Sequence, residues 1–254
     1  MIKFFRKIRQ NMLTENKTGM YFKYAIGEII LVVIGILIAL SINNWNEERK
    51  VENMGKVYIE EVYLDLKTET SNLNEIILSL SSQYDATEKV LSVIESNEKF
   101  IRDTVQFTKN YWKTASLLIV QRNLNTFDEL RSSGKNGLLK NDSLINLLHR
   151  FYKNLDQSIA NFKKYPLQLR MDLRRITFPM GNLDDFKYTN KTQKLAPAYL
   201  SEYLNSEATY EFLLSILKTS YHNFKLFKEL LVDVTELMKF MEENYSYIRG
   251  NNLY

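Results

Sequence analysis

The residue types that could do chemistry in this chain are few, and their spacing decides most of the argument. Two histidines, His149 and His222, stand far apart, outside any HExxH or comparable ligand spacing. Each falls on the polar flank of a predicted helix, where a solvated or core-edge imidazole is expected. The stretch "SSGKNG" around Gly134 echoes a phosphate loop. It lacks the upstream glycine, a Ser or Thr after Lys135 and a preceding strand, so it reads as a helix stop. No GxSxG and no GxGxxG occurs. With 0 cysteines, disulfides, thiolate metal sites and a thiol nucleophile are excluded. Paired carboxylates are common along the chain, as on any Glu-rich helix face, and there they solvate it. The sequence therefore predicts no enzyme, no metal and no cofactor.

Two groups of residues could instead make contacts. Lys163, Lys164, Arg170, Arg174 and Arg175 form a basic cluster that could meet an anionic partner. The competing reading is a solvated face, since Asp172 interrupts the cluster and no aromatic ladder accompanies it. The second group is Glu28, Gly35 and Ala39. At 100° per residue, Gly35 and Ala39 lie about 20° to either side of Glu28, so all three share one helical stripe. "GILIA" is a small-xxx-small pattern, which lets two helices approach closely. A second copy of the chain or another membrane protein is the expected partner. The alternative is that Glu28 snorkels to the headgroups and does nothing more.

That stripe lies in "YAIGEIILVVIGILIALSINNW", residues 24–45. Its 22 residues would span about 33 Å as a helix, close to the hydrocarbon thickness of a bilayer. Tyr21, Phe22 and Tyr24 flank one end and Trp45 the other, as interfacial aromatics do. A cleaved signal peptide is the competing reading, with Ala39-Leu40-Ser41 resembling a cleavage site. The long basic segment before the span and the unbroken helical pattern across it favour an uncleaved anchor.

Charge sets the orientation. The net charge is +4, yet Lys3, Arg6, Lys7, Arg9, Lys17 and Lys23 all precede the span, opposed there by Glu15 alone. The rest of the chain is close to neutral, so its basicity does not point to nucleic acid. Positive charge stays inside, which predicts a single-pass protein of the inner membrane. Residues 1–23 would be cytoplasmic, 24–45 transmembrane and 46–254 periplasmic. In the first segment Ile2, Phe5, Ile8 and Met12 recur at helical spacing among bases. That pattern suits a helix lying on anionic lipid, or else a solvated tail that carries only the topology signal.

Two blocks carry a resemblance. "MIKFFRKIRQ" followed by "GEIILVVIGILIALSINNWNEERK", and later "TFDELRSSGKNGLLKNDSLINLLHRFY", resemble a family of bacterial single-pass membrane proteins of unknown function, the domain of unknown function 6090 type. The resemblance implies an anchored protein with a helical body outside the cytoplasm. It implies no activity and no functional residues.

The elements of the body follow from periodicity. With 8 Gly and 3 Pro, the chain favours helices. Val51, Met54, Tyr58, Val62, Leu66, Leu73, Ile76, Leu80, Tyr84, Leu91 and Ile94 predict a long amphipathic helix continuing from the span without a linker. Thr126 and Glu129 have the form of a capping box, with Gly134 ending that helix. Asn141 or Asp142 caps the next, whose core face is Leu144, Leu148, Phe151, Leu155 and Phe162, and Pro166 bends or breaks it. Residues 177–204 read as the least regular connection. After Ser206, a heptad-like stripe of Tyr210, Leu214, Leu217, Tyr221, Phe224, Phe227, Leu231, Val234, Met238, Met241 and Tyr245 predicts the last long helix.

The fold class expected is all-α, an N-terminal transmembrane helix followed by an elongated antiparallel helical bundle. The function expected is a membrane-anchored helical scaffold or interaction protein of the bacterial envelope. The alternative is a sensor-like ligand-binding bundle that signals through a partner.

Overall fold

The structure, a computed structural model, describes residues 18–122 and 125–251. The basic amphipathic pattern at Ile2, Phe5, Ile8 and Met12 lies outside the described residues. Among the described residues every regular element is helical. They are α1 (Thr18–Glu95), α2 (Thr104–Ala115), α3 (Thr126–Ser132), a 3-10 turn at Asn136–Leu139, α4 (Asp142–Lys164), α5 (Pro166–Thr177), α6 (Leu183–Thr192), α7 (Pro197–Asn205), α8 (Glu207–Asn244) and a 3-10 turn at Ser246–Asn251. The chain divides into two units, residues 1–57 and 58–254.

In the first unit α1 runs unbroken through Gly55, as the amphipathic pattern that continues from the span predicts. From Phe22 to Trp45 nearly every side chain is exposed, the branched aliphatics included. It is the one stretch among the described residues long and apolar enough to cross a membrane.

The second unit builds two hydrophobic cores. One gathers Ile59, Val62, Leu66, Leu73, Ile77 and Leu80 of α1 with Phe127 and Leu130 of α3, the core face of α4, and Phe227 to Met241 of α8. The other gathers Val90, Leu91 and Ile94 of α1 with Phe107 and Tyr111 of α2, Leu173 of α5, the tyrosines of α7, and Leu213 and Ile216 of α8. Contacts between α1 and α8 run in reverse order. Tyr63 hydrogen-bonds Glu242, Thr70 meets Met238, Tyr84 packs on Tyr221, and Glu95 accepts from Tyr210.

Between the two cores lies a buried polar layer. Gln83 and Thr87 of α1, Thr114 of α2, Arg170 of α5, and Ser220 and Asn223 of α8 are all buried there. This layer corrects the stripe expected on α8. The buried positions are Thr209, Leu213, Ile216, Ser220, Asn223, Phe227, Leu230, Val234, Leu237 and Met241. They keep the heptad rhythm but sit one residue earlier than Tyr210, Leu214, Leu217, Tyr221 and Phe224. The apolar residues were the visible signal, and Ser220 with Asn223 takes the seam because Arg170 is buried against it.

Local chemistry sets the ends of the helices. The cap of α3 is Asn125 rather than Thr126. Its side chain accepts from Asp128 N at 3.0 Å, while the Thr126 N–H is held by the Asp65 carboxylate at 2.7 Å. Gly134, at φ +68°, closes α3 in a Schellman motif, with Lys135 N donating to Leu130 O at 2.8 Å. Asn141 caps α4 through Leu144 N. Pro166 ends α4 and stands at the first position of α5, where its missing N–H costs nothing. The connection expected over 177–204 instead holds two helices. Pro197 opens α7 and Gly181 precedes the Asn182–Asp185 capping box of α6, so both breakers mark helix starts.

Candidate binding cleft

The five bases expected to form one surface are separated by the fold. Arg170 is 1% exposed and belongs to the core, which removes it from any surface. It donates to Pro166 O at 2.9 Å, Gln83 Oε1 at 2.5 Å and Ser220 Oγ at 3.1 Å, and sits over the Phe162 ring. Among the described residues no carboxylate pairs with it. Burial pulls its pKa down to about 10, so it stays charged at neutral pH. Arg174 turns inward in part and donates to Ala115 O at the end of α2. Arg175 pairs with Asp172 one turn back at 3.0 Å. Lys163 and Lys164 are exposed in the last turn of α4, where positive charge suits the helix dipole. Arg174 and Arg175 share one shallow depression with Leu117, Met171, Phe178 and Pro179.

In the first unit Glu28, Gly35 and Ala39 are all exposed on α1. A Cβ built on Gly35 meets nothing within 4 Å, so that face of the helix is open to a close neighbour. His149 packs edge-on against Phe127, at 4.9 Å between ring centres, and His222 is exposed. Among the described residues neither imidazole belongs to a group of three or more side chains that could hold a metal ion.

One concavity of the second unit is not announced by the sequence. A cleft of about 460 Å³ opens among α2, the end of α5, the Met180–Asn182 turn, α6 and the start of α7. Its inner wall is a tyrosine cluster. Tyr111 and Tyr199 share a hydroxyl–hydroxyl bond of 2.5 Å, and both rings pack on Tyr203. Burial raises the pKa of all three phenols, so they remain protonated donors throughout the biological range. The outer wall is apolar and open. Phe178, Leu183 and Phe186 are more than half exposed, and Trp112 stands edge-on to Tyr111.

The local sequence explains why the walls stay apart. Helix α6 buries none of its residues, so it is held by its ends rather than by a core face. At its N-terminus Asn182 accepts from Asp184 N and Asp185 N, and Asp185 Oδ2 accepts from Asn182 N at 2.8 Å. Gly181 is obligatory there. Its φ is +73°, and a Cβ would fall 2.7 Å from Asp185 Oδ2. Past its C-terminus Leu195 N donates to Thr108 Oγ1 of α2 at 3.1 Å, anchoring the return of the chain. A helix pinned at both ends and unpacked beneath leaves a slot over the tyrosines.

None of this was readable from spacing. Tyr111 and Tyr199 are 88 residues apart. The available signal was the i, i+4 spacing of Tyr199 and Tyr203, inside a stretch that reads as an irregular connection.

Comparison with curated proteins and with solved structures returned no match. The model of a family of unknown function, DUF6090, matches residues 28–169. That segment includes the apolar span, α2, α3, α4 and the start of α5, while α6, α7 and α8 lie beyond it. Matching more than half of the chain, including the stretch from Glu28 to Lys50 and the block from Thr126 to Tyr152, it places the chain in the DUF6090 family.

Proposed function

We propose that this chain is a non-enzymatic, membrane-anchored helical protein that holds its second unit outside the cytoplasm as an interaction module of the bacterial envelope. The observation that carries this is the exposure of the span. Ile29, Ile30, Leu31, Ile34, Leu37 and Leu40 are each half or more exposed on one helix. Each large aliphatic left in water forgoes roughly 1.5–3 kcal/mol of burial, a cost that a bilayer removes. The bases before the span favour an N-terminus inside.

The natural absence of cysteine makes the test direct. Single variants Lys17→Cys and Asn97→Cys would be treated in intact cells with a membrane-impermeant maleimide. Position 97 should react and position 17 should react only after permeabilisation. Reaction at both sites, or release of the protein by alkaline carbonate, would refute the anchored topology. Intact mass of the membrane fraction decides whether cleavage occurs after Ala39-Leu40-Ser41.

Within the membrane, Gly35 and Ala39 supply the face for a second copy or another span, with Glu28 on the same stripe. Gly35→Ile should weaken crosslinking of the full chain more than Val33→Ile, which points about 160° away. Equal crosslinking in both variants would remove the contact.

A second reading is favoured by the cleft. A concavity of about 460 Å³ with apolar walls and a hydroxyl pair at its base has the size and lining of small-molecule sites. On that reading the second unit is a ligand-binding bundle that reports through a membrane partner.

A further inference from the structure

We infer that the cleft between α2 and α6 binds an uncharged, mainly apolar molecule that carries one carbonyl or hydroxyl oxygen, with that oxygen on the Tyr111–Tyr199 hydroxyl pair. The inference rests on the ligand-binding reading and names the class of ligand.

Charge excludes the alternatives. No Lys, Arg or His lines the cleft, and Arg174, which acts on the Tyr111 hydroxyl from outside the lining, donates to Ala115 O, so no base in the lining pairs directly with a carboxylate or phosphate. The single ionisable carboxylate, Asp185, is engaged by the Asn182 N–H and serves as the cap of α6. It is therefore committed to the fold rather than offered to a cationic ligand.

Hydrogen bonding selects the head group. Tyr111 is 3% and Tyr199 9% exposed, and their hydroxyls bond each other. The two phenols and the neighbouring Thr177 hydroxyl contain three O–H protons; the mutual bond uses one and Thr177 gives its own to Leu173 O, so one phenol proton is left to offer. A ligand oxygen that accepts this proton completes the pair. An alkane would leave the donor unused, a mismatch that buried polar groups resist.

The walls select the rest. Trp112, Phe178, Phe186 and Leu183 leave apolar surface exposed along the slot, and a ligand chain or ring covers it. Because α6 carries no core residue, its side chains can adjust to the ligand without disturbing the packing of either core.

The chain contains 2 tryptophans, Trp45 in the span and Trp112 in the cleft. The full chain with Trp45→Phe, in lipid nanodiscs, thus has one reporter inside the site. It would be titrated with ω-bromodecanol, ω-bromodecanoate and bromodecane at matched membrane concentrations, reading heavy-atom quenching of Trp112. Saturable quenching by the alcohol is expected, at least about tenfold tighter than by the acid. In Tyr111→Phe/Tyr199→Phe the alcohol should bind about tenfold more weakly and bromodecane unchanged, as loss of one hydrogen bond requires. Phe186→Ala, on a helix with no buried residue, should weaken all three by a few fold and keeps the test valid if the tyrosine variant misfolds. Tighter quenching by the acid would overturn the ligand class and leave the ligand-binding reading standing. Failure of all three to quench saturably would overturn both.

Discussion

Arg170 and Gln83 should prove coupled, and the coupling can be sized from the structure. The guanidinium is buried with neutral acceptors alone, Gln83 Oε1, Ser220 Oγ and Pro166 O. Its pKa falls from 12.5 to about 10, which corresponds to roughly 3 kcal/mol of unrecovered desolvation at neutral pH. The base is charged in both folded and unfolded chains at neutral pH. The penalty is therefore fully present there and is relieved only as pH rises through the folded value.

Replacing the pair separates these terms. Gln83→Leu alone leaves the buried cation without its shortest acceptor and should cost about 2–4 kcal/mol. Arg170→Met alone removes the charge but strands the Gln83 and Ser220 oxygens, which should cost about 1–3 kcal/mol. The double variant removes both the charge and its main acceptor. It should be more stable than Gln83→Leu by at least about 1.5 kcal/mol, a coupling typical of residues in one buried network.

The assay is thermal unfolding of the full chain in nanodiscs, followed by helical circular dichroism. At this size 1 kcal/mol corresponds to a Tm change of about 2–4 °C. Additive effects, or a loss below about 1 kcal/mol for Gln83→Leu, would refute the view that Arg170 is held as a charge by neutral dipoles.

Other predictions follow from single sites. Gly134→Ala should lower stability by about 1 kcal/mol, because φ +68° strains any Cβ, and a Tm shift near zero would mean that the Schellman turn rearranges. Burial raises the pKa of Glu69, so the folded state binds its proton more tightly than the unfolded state does. Its favourable contribution is present below the unfolded value and lost as pH rises through the folded one. Glu69→Gln should therefore match the native chain in acid and exceed it at neutral pH, and equal stability at both would show that the Asn72 and Arg122 contacts offset burial.

The long helices were legible because their chemistry repeats. The core face of α4, Leu144 to Phe162, appears in the sequence as it does in the fold. The run from the span into the body holds no Pro before Glu95, and its apolar periodicity carries the helix through Gly55. What periodicity does not fix is phase. On α8 two adjacent stripes share the same alternation of three and four. The apolar one, through Tyr221 and Phe224, was the visible choice, and the chain buries Ser220 and Asn223 instead. A single long-range event decides this. Arg170 enters the core 50 residues upstream of Ser220, and no local pattern reports it. Breakers mislead in a similar way. Pro197 and Gly181 stop one helix and start another, so a stretch holding both reads as loop while the chain folds it into α6 and α7.

The same argument accounts for where the cleft lies. A helix joins a core when it has a face to bury, and α6, Leu183–Thr192, has none. Its apolar residues, Leu183, Phe186 and Tyr188, point outward or over the slot while its ends are tied to Asn182 and to Thr108. Exposed Leu and Phe on an element that is pinned yet unpacked represent burial energy still available, roughly 1.5–3 kcal/mol for each side chain that a partner can cover. Elsewhere in the second unit α1, α4 and α8 have spent that energy on the two cores. The stable helices thus make the frame, and α6, which buries no residue of its own, stands where a ligand would complete it.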